Sequence, residues 1–145
     1  GADDSSPESF SIHDTVAIGK AKVLREGHRL ALCCFGSVVH KLKDLAELYD
    51  LTLVDMRFVK PLDYALLKKL AFDHDCIVTI EEGVIHGGIG QEISAYVRDV
   101  NAKIRVINLG IGDEFIPEGS REELLREQKL DPDSVQEVIK NYLEI

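Results

Sequence analysis

Apolar positions along this chain switch repeatedly between strand-like runs and helix-like spacing. Arg29 to Phe35 is a short, nearly continuous apolar run and predicts a buried strand. Gly36-Ser37 then turns the chain into a helix from Val38 to Tyr49, with Val38, Leu42, Leu45 and Tyr49 on one face. The alternation repeats. Leu51 to Arg57 predicts a strand, and Pro61 to Asp73 a helix with Leu62, Leu66, Leu67 and Leu70 as its stripe. Cys76 to Glu82 predicts a strand, Gly88 to Val100 a helix burying Ile89, Ile93, Tyr96 and Val97, and Lys103 to Gly110 the last strand. Strands rich in Val, Ile and Leu, separated by helices, predict an α/β fold whose mostly parallel sheet is covered on both faces.

The two ends read differently. Residues 1–13 are rich in Ser and Asp and poor in apolar side chains, which predicts a loose leader or expression remnant ahead of a single domain over residues 14–145. Thr15 to Gly27 predicts a short extended segment closed by a glycine turn. Towards the far end, Ser120 and Glu123 form an S-x-x-E capping box. Asp131-Pro132 pairs an N-cap with proline at the first helical position. Two helices are therefore expected to close the chain, the last burying Val135, Val138, Ile139 and Tyr142.

Composition narrows the class. The 145 residues suit one domain, and 45% hydrophobic content suffices for a core. A net charge of −9 disfavours nucleic acid and anionic membranes as partners. The apolar runs are too short to span a bilayer. Cys33, Cys34 and Cys76 lie inside apolar runs without CxxC spacing, which predicts reduced core thiols and a cytoplasmic setting. The five histidines are scattered, so none of them forms a metal-ligand spacing.

In an open α/β sheet, ligands meet the carboxyl ends of the strands. Here those ends are Gly36-Ser37, Arg57 to Lys60, Glu81 to Gly83 and Asn108 to Gly110. The third opens the stretch EEGVIHGGIGQE, which holds Gly83, Gly87, Gly88 and Gly90. Two readings compete for it. A phosphate loop would want the third glycine of the dinucleotide fingerprint, yet Gly88-Ile89-Gly90 leads to Ile93, and the stretch has no Lys or Arg. A backbone bend needing φ > 0 and close approach fits better, while a ligand loop stays open. Glu81 and Glu82 are adjacent in a strand and point to opposite faces, so at most one serves a given site. His86 reads as a general acid–base or as an interface histidine. Arg57 and Lys60 read as an anion grip or as salt links at a subunit boundary. Phe115, inside the acidic loop Gly112 to Gly119, reads as a docking aromatic or a plug under the sheet edge.

Three stretches, in order, carry a resemblance: MRFVKPLD (Met56 to Asp63), VTIEEGVIHGGIGQEI (Val78 to Ile93) and IGDEFIPEG (Ile111 to Gly119). They resemble the C-terminal domain of 1-deoxy-D-xylulose-5-phosphate synthase, in the transketolase-like, thiamine-diphosphate-dependent group. The likeness runs from about Val16 to Leu143. It departs at Val59, where the family commonly has cysteine, and at Pro117-Glu118, where it often shows F-I-x-H-G. The resemblance implies a three-layer α/β/α unit with a five-stranded, mostly parallel sheet whose first strand is antiparallel. It implies an enzyme that joins pyruvate to glyceraldehyde 3-phosphate for isoprenoid and thiamine synthesis, in the cytoplasm or a plastid-like compartment. Thiamine diphosphate and Mg would belong to the full-length dimeric enzyme and none to this stretch, since Gly112-Asp113-Glu114 is not the family's G-D-G magnesium motif. No catalytic, cofactor or metal residue carries over. The implied partners are the preceding catalytic domains and a second subunit, with Arg57, Lys60, Glu82, His86, Gly87, Gly88, Gly90 and Phe115 as candidate interface or crevice residues. The alternatives are the equivalent domain of a split transketolase or of an oxo-acid dehydrogenase β chain, or an autonomous small-molecule-binding domain.

Overall fold

A computed structural model of the chain describes residues 17–81, 88–110 and 132–144. Five strands form one sheet in the order β1-β3-β2-β4-β5: β1 Lys22–Arg25, β2 Leu30–Phe35, β3 Thr52–Asp55, β4 Cys76–Glu81 and β5 Arg105–Gly110. β1 pairs antiparallel with β3, and every other pairing is parallel. The expected mixed sheet with an antiparallel first strand is therefore present.

The helices are α1 Val38–Lys41, α2 Lys43–Tyr49, α3 Tyr64–Asp73, α4 Ile89–Val100 and α5 Pro132–Leu143. The central strands β2 and β4 are buried throughout, and side-chain alternation splits their residues between two cores. Leu30, Leu32, Cys34, Val78 and Ile80 pack against α1, α2 and α5. Ala31, Cys33, Phe35 and Ile77 pack against α3 and α4 on the other face. The result is a three-layer α/β/α unit. All three cysteines are buried and unpaired, and burial pushes the Cys33 thiol up to about 12 and Cys76 to about 11. Thiols held in that form are poor nucleophiles, which matches the structural role expected for them.

Element ends differ from expectation for identifiable reasons. The helix expected over Val38–Tyr49 is interrupted at Leu42, whose ψ of 5° breaks the ladder while its side chain stays in the core stripe. Periodicity reports the stripe and is blind to the break. The helix expected from Pro61 begins at Tyr64, because Asp63 is the N-cap and its side chain accepts from the Leu66 N–H. The other oxygen of Asp63 accepts from Ala21 N–H at 2.8 Å, tying the segment ahead of β1 to the start of α3. β3 stops at Asp55, and Arg57 has φ of +65°, a left-handed conformation that cannot continue a strand. The capping box at Ser120 and Glu123, and Asp131, lie outside the described residues.

Candidate functional site at the carboxyl ends of the strands

The start of α4 is built by three elements. Gly88 is its N-cap, with φ of +90° and no side chain to satisfy the helix's first N–H groups. The Glu81 carboxylate, at the end of β4, supplies part of what is missing: its Oε2 accepts from Gly90 N–H at 3.1 Å. A carboxylate at a helix N-terminus also interacts favourably with the helix dipole. One of the two acids that open the glycine stretch is thus used inside the domain.

Gly90 serves close approach rather than an unusual φ. A Cβ there would lie 2.7 Å from Asn108 Cγ and 2.8 Å from its Oδ1. Asn108 sits opposite Thr79 in the β4–β5 ladder, and its Oδ1 accepts from Thr79 Oγ1 at 2.6 Å. Its Nδ2 donates to Ser94 Oγ at 3.3 Å, and Ser94 Oγ donates to the Gly90 carbonyl at 2.9 Å. This chain of bonds satisfies Thr79 and Ser94, both buried, and clamps α4 to the sheet edge. The bend reading of these glycines accounts for both Gly88 and Gly90.

A second group gathers at the ends of β2 and β3. Gly36, Ser37, His40, Asp55, Arg57 and Phe58 line an open cleft of about 470 Å³. Arg57 Nε lies 3.9 Å from Asp55 Oδ2, and both side chains are about three-quarters covered, at 25% and 23% exposure. That separation is too long for a hydrogen bond.

Of the residues expected to matter, Gly88 and Gly90 fall together at α4, and Arg57 falls in the cleft. Lys60 is exposed after β3, and it does not line the cleft. Glu82, His86, Gly87 and Phe115 lie outside the described residues. Sequence reasoning missed Asp55, His40, Asn108, Thr79 and Ser94. Asp55 carried a readable signal: it shares a strand face with Leu53, so an acid was being placed on a core-facing parity. Asn108 carried none, because its partner lies 29 residues away.

Among the described residues, no group of three or more His, Cys, Asp or Glu could hold a metal ion. Glu81 is engaged with α4. These residues therefore do not fit a magnesium–diphosphate site, and no chemical step is assigned to them.

The chain matches the family model of the transketolase C-terminal domain over residues 19–135. It is 42% identical over 134 residues to 1-deoxy-D-xylulose-5-phosphate synthase of Baumannia cicadellinicola subsp. Homalodisca coagulata, covering 92% of this chain and 22% of that protein. It is 44% identical over 127 residues to the synthase of Psychromonas ingrahamii, covering 88% of this chain and 20% of that protein. A solved structure described as a split-gene transketolase, an inactive beta4 tetramer, superposes with a TM-score of 0.72 at 28% identity, covering 97% of this chain and 47% of that one. The chain spans about a fifth of the length of the curated synthases it matches.

Proposed function

We propose a function from one premise: this chain belongs to the transketolase C-terminal domain family. Its role is that of the C-terminal structural and assembly domain of a 1-deoxy-D-xylulose-5-phosphate synthase. The observation that carries this reading is identity of about two residues in five with synthases across roughly nine-tenths of the chain. The transketolase structure stands lower, at 28%.

In this reading the whole enzyme condenses pyruvate with glyceraldehyde 3-phosphate and releases carbon dioxide. Thiamine diphosphate and Mg are held by the preceding domains and supply the carbanion chemistry there. The present chain contributes packing surface to those domains and to a second subunit, and is inactive alone. Its polar groups at this sheet edge serve the fold: Glu81 caps α4, and Asn108 bonds both Thr79 and Ser94. Gly88, exposed at the start of α4, belongs to the interface, together with Lys60 and with Glu82, His86, Gly87 and Phe115. No helix among the described residues is long and apolar enough to cross a membrane. The cytoplasm, or a plastid-like compartment, is the proposed location.

A second reading is the corresponding domain of a split transketolase, favoured by the coverage of 97% of this chain against that structure. One experiment separates the two. The intact protein, with its preceding domains, is assayed for carbon dioxide release from pyruvate with glyceraldehyde 3-phosphate, and for ketol transfer from xylulose 5-phosphate. The first activity alone is expected, with none from this chain by itself. Ketol transfer without pyruvate turnover would reassign the enzyme, and turnover by this chain alone would end the assembly-domain reading.

A further inference from the structure

At the β1 edge of the sheet, Leu24, Arg25, Lys43, Glu47 and Leu53 line a groove of about 290 Å³ between β1 and α2. That is near the lower bound of small-molecule sites, roughly 300 Å³. Leu53 lies towards the amino end of β3, whereas the cleft lined by Asp55 and Arg57 lies at its carboxyl end, and the two share no residue.

A bulge shapes the groove. Val23 pairs with Val54 and Arg25 with Leu53, so Leu24 is an extra residue in β1. Neighbours in a strand normally point to opposite faces, and a bulge re-aims one of them. Leu24 and Arg25 therefore line the same groove. Leu24 packs on the core beside the buried Leu53, which gives the groove an apolar floor. Arg25 is about two-thirds covered, and its hydrogen bonds all run through Nη1: to Asp50 Oδ1 at 2.9 Å, Leu51 O at 3.1 Å and Glu26 O at 3.4 Å. Among the described residues its Nε and Nη2 have no partner, so the guanidinium is fixed at one corner and open to donate at the others.

The α2 wall adds two charges of opposite sign. Lys43 and Glu47 stand one turn apart, the spacing at which such residues pair, but lysine ahead of glutamate is the weaker order. Among the described residues neither is in an ion pair, and both are exposed. A simple carboxylate entering here would satisfy Arg25 and Lys43 and set its charge beside Glu47. A simple amine would answer Glu47 and meet two cations. A zwitterion with an apolar tail suits every part of the lining.

We propose that this groove binds a free α-amino acid with an aliphatic side chain. Its carboxylate accepts from Arg25 and Lys43, its ammonium donates to Glu47, and its side chain lies on Leu24 and Leu53. The site is independent of which enzyme the domain serves.

The test is calorimetric titration of this chain with L-leucine and three analogues: 4-methylpentanoate lacks the amine, 3-methylbutylamine lacks the carboxylate, and glycine lacks the tail. Leucine is expected to saturate one site per chain and to bind more tightly than each analogue. Lys43→Gln should weaken leucine and 4-methylpentanoate alike, by about three- to tenfold for a partly solvated charge contact. Glu47→Gln should weaken leucine and spare 4-methylpentanoate, so that the preference between them collapses. Both side chains are exposed and outside any ion pair, so the melting temperatures of the variants should hold, which separates lost binding from lost fold. The proposal is overturned if leucine shows no saturable binding, if 4-methylpentanoate binds as tightly as leucine, or if either variant binds as the parent does. It is also overturned if the intact protein, with its preceding domains, binds no leucine, because another polypeptide then fills the groove.

Discussion

Asn108 lies across the backbone of Gly90 so closely that residue 90 has no room for a Cβ, which would sit 2.7 Å from Asn108 Cγ. Helix propensity alone favours alanine over glycine at a helical position by about 1 kcal/mol. The contact outweighs it, since displacing Asn108 also strips Thr79 of its 2.6 Å bond. Gly90→Ala should therefore lower stability by about 1–3 kcal/mol in chemical denaturation. Asn108→Ala should cost about 1–2 kcal/mol by leaving Thr79 and Ser94 short of a partner. The double variant should cost clearly less than the sum, because the clash is mostly with atoms that the second change removes. Strict additivity would show that Gly90 is tolerated for some other reason.

Gly27 makes a less forgiving contact. A Cβ there would lie 2.4 Å from the Asp50 carbonyl oxygen and 2.4 Å from the Leu51 carbonyl carbon, both backbone atoms. The same turn is tied by Gly27 N–H to Thr52 Oγ1 at 2.9 Å and His28 N–H to Asp50 O at 2.7 Å. Relief would require moving the β1–β2 and α2–β3 turns apart. Gly27→Ala is expected to cost about 3 kcal/mol, at the upper end for overpacking, and to lower the urea midpoint at unchanged slope. A midpoint like the parent's would mean that the turns separate freely.

The fold was legible where one face was buried. Leu45, Leu67, Ile93 and Ile139 sit in the cores their periodicity predicted. What escaped was long-range polar pairing. Asp63 falls inside the helix expected over Pro61 to Asp73, yet it caps the start of α3 by accepting from Leu66 N–H and reaches 42 residues back to Ala21. Gly90 could be read as a close-approach glycine, but nothing local named Asn108 as its neighbour. Arg57 was readable as a candidate anion grip. The approach of His40 was not, because the sheet order that brings the end of β2 beside that of β3 arises only on folding.

His74 makes the fold sensitive to mild acid. Burial lowers its pKa, outweighing the opposing pull of the Leu70 carbonyl and Asp73. The carbonyl can only accept, so Nδ1 carries the proton and donates to Leu70 O at 3.1 Å, and Nε2 accepts from Thr52 Oγ1 at 2.7 Å. That oxygen in turn accepts from Gly27 N–H. Every group in the chain is satisfied with His74 neutral. The folded state therefore disfavours the proton more than the unfolded state does. Stability from this site is full above the ordinary histidine value of 6.5 and falls as pH drops below it, until the lower folded value is passed. Denaturation midpoints should decline between pH 7.5 and 5.5, and His74→Gln should flatten that decline. Equal slopes in the two proteins would remove His74 as the cause. The Asp50 carboxylate, held low first by His28 and then by Arg25, acts in a separate window at and below the ordinary carboxylate range.

Gly88 offers the cleanest test of the proposed assembly role. It is exposed, its φ is +90°, and among the described residues a Cβ there would meet nothing within 4 Å. Among the described residues, backbone conformation is thus the sole local demand, and asparagine tolerates left-handed φ far better than a β-branched residue does. Gly88→Val would confuse strain with lost contact. Gly88→Asn should leave the stability of this chain within about 1 kcal/mol of the parent. If the start of α4 packs against another domain or subunit, the added side chain collides there and only there. Light scattering of the intact protein should then show mass shifting from dimer to monomer while the melting temperature of the isolated chain holds. A dimer of unchanged mass would place the interface away from Gly88 and leave its glycine explained by the bend alone.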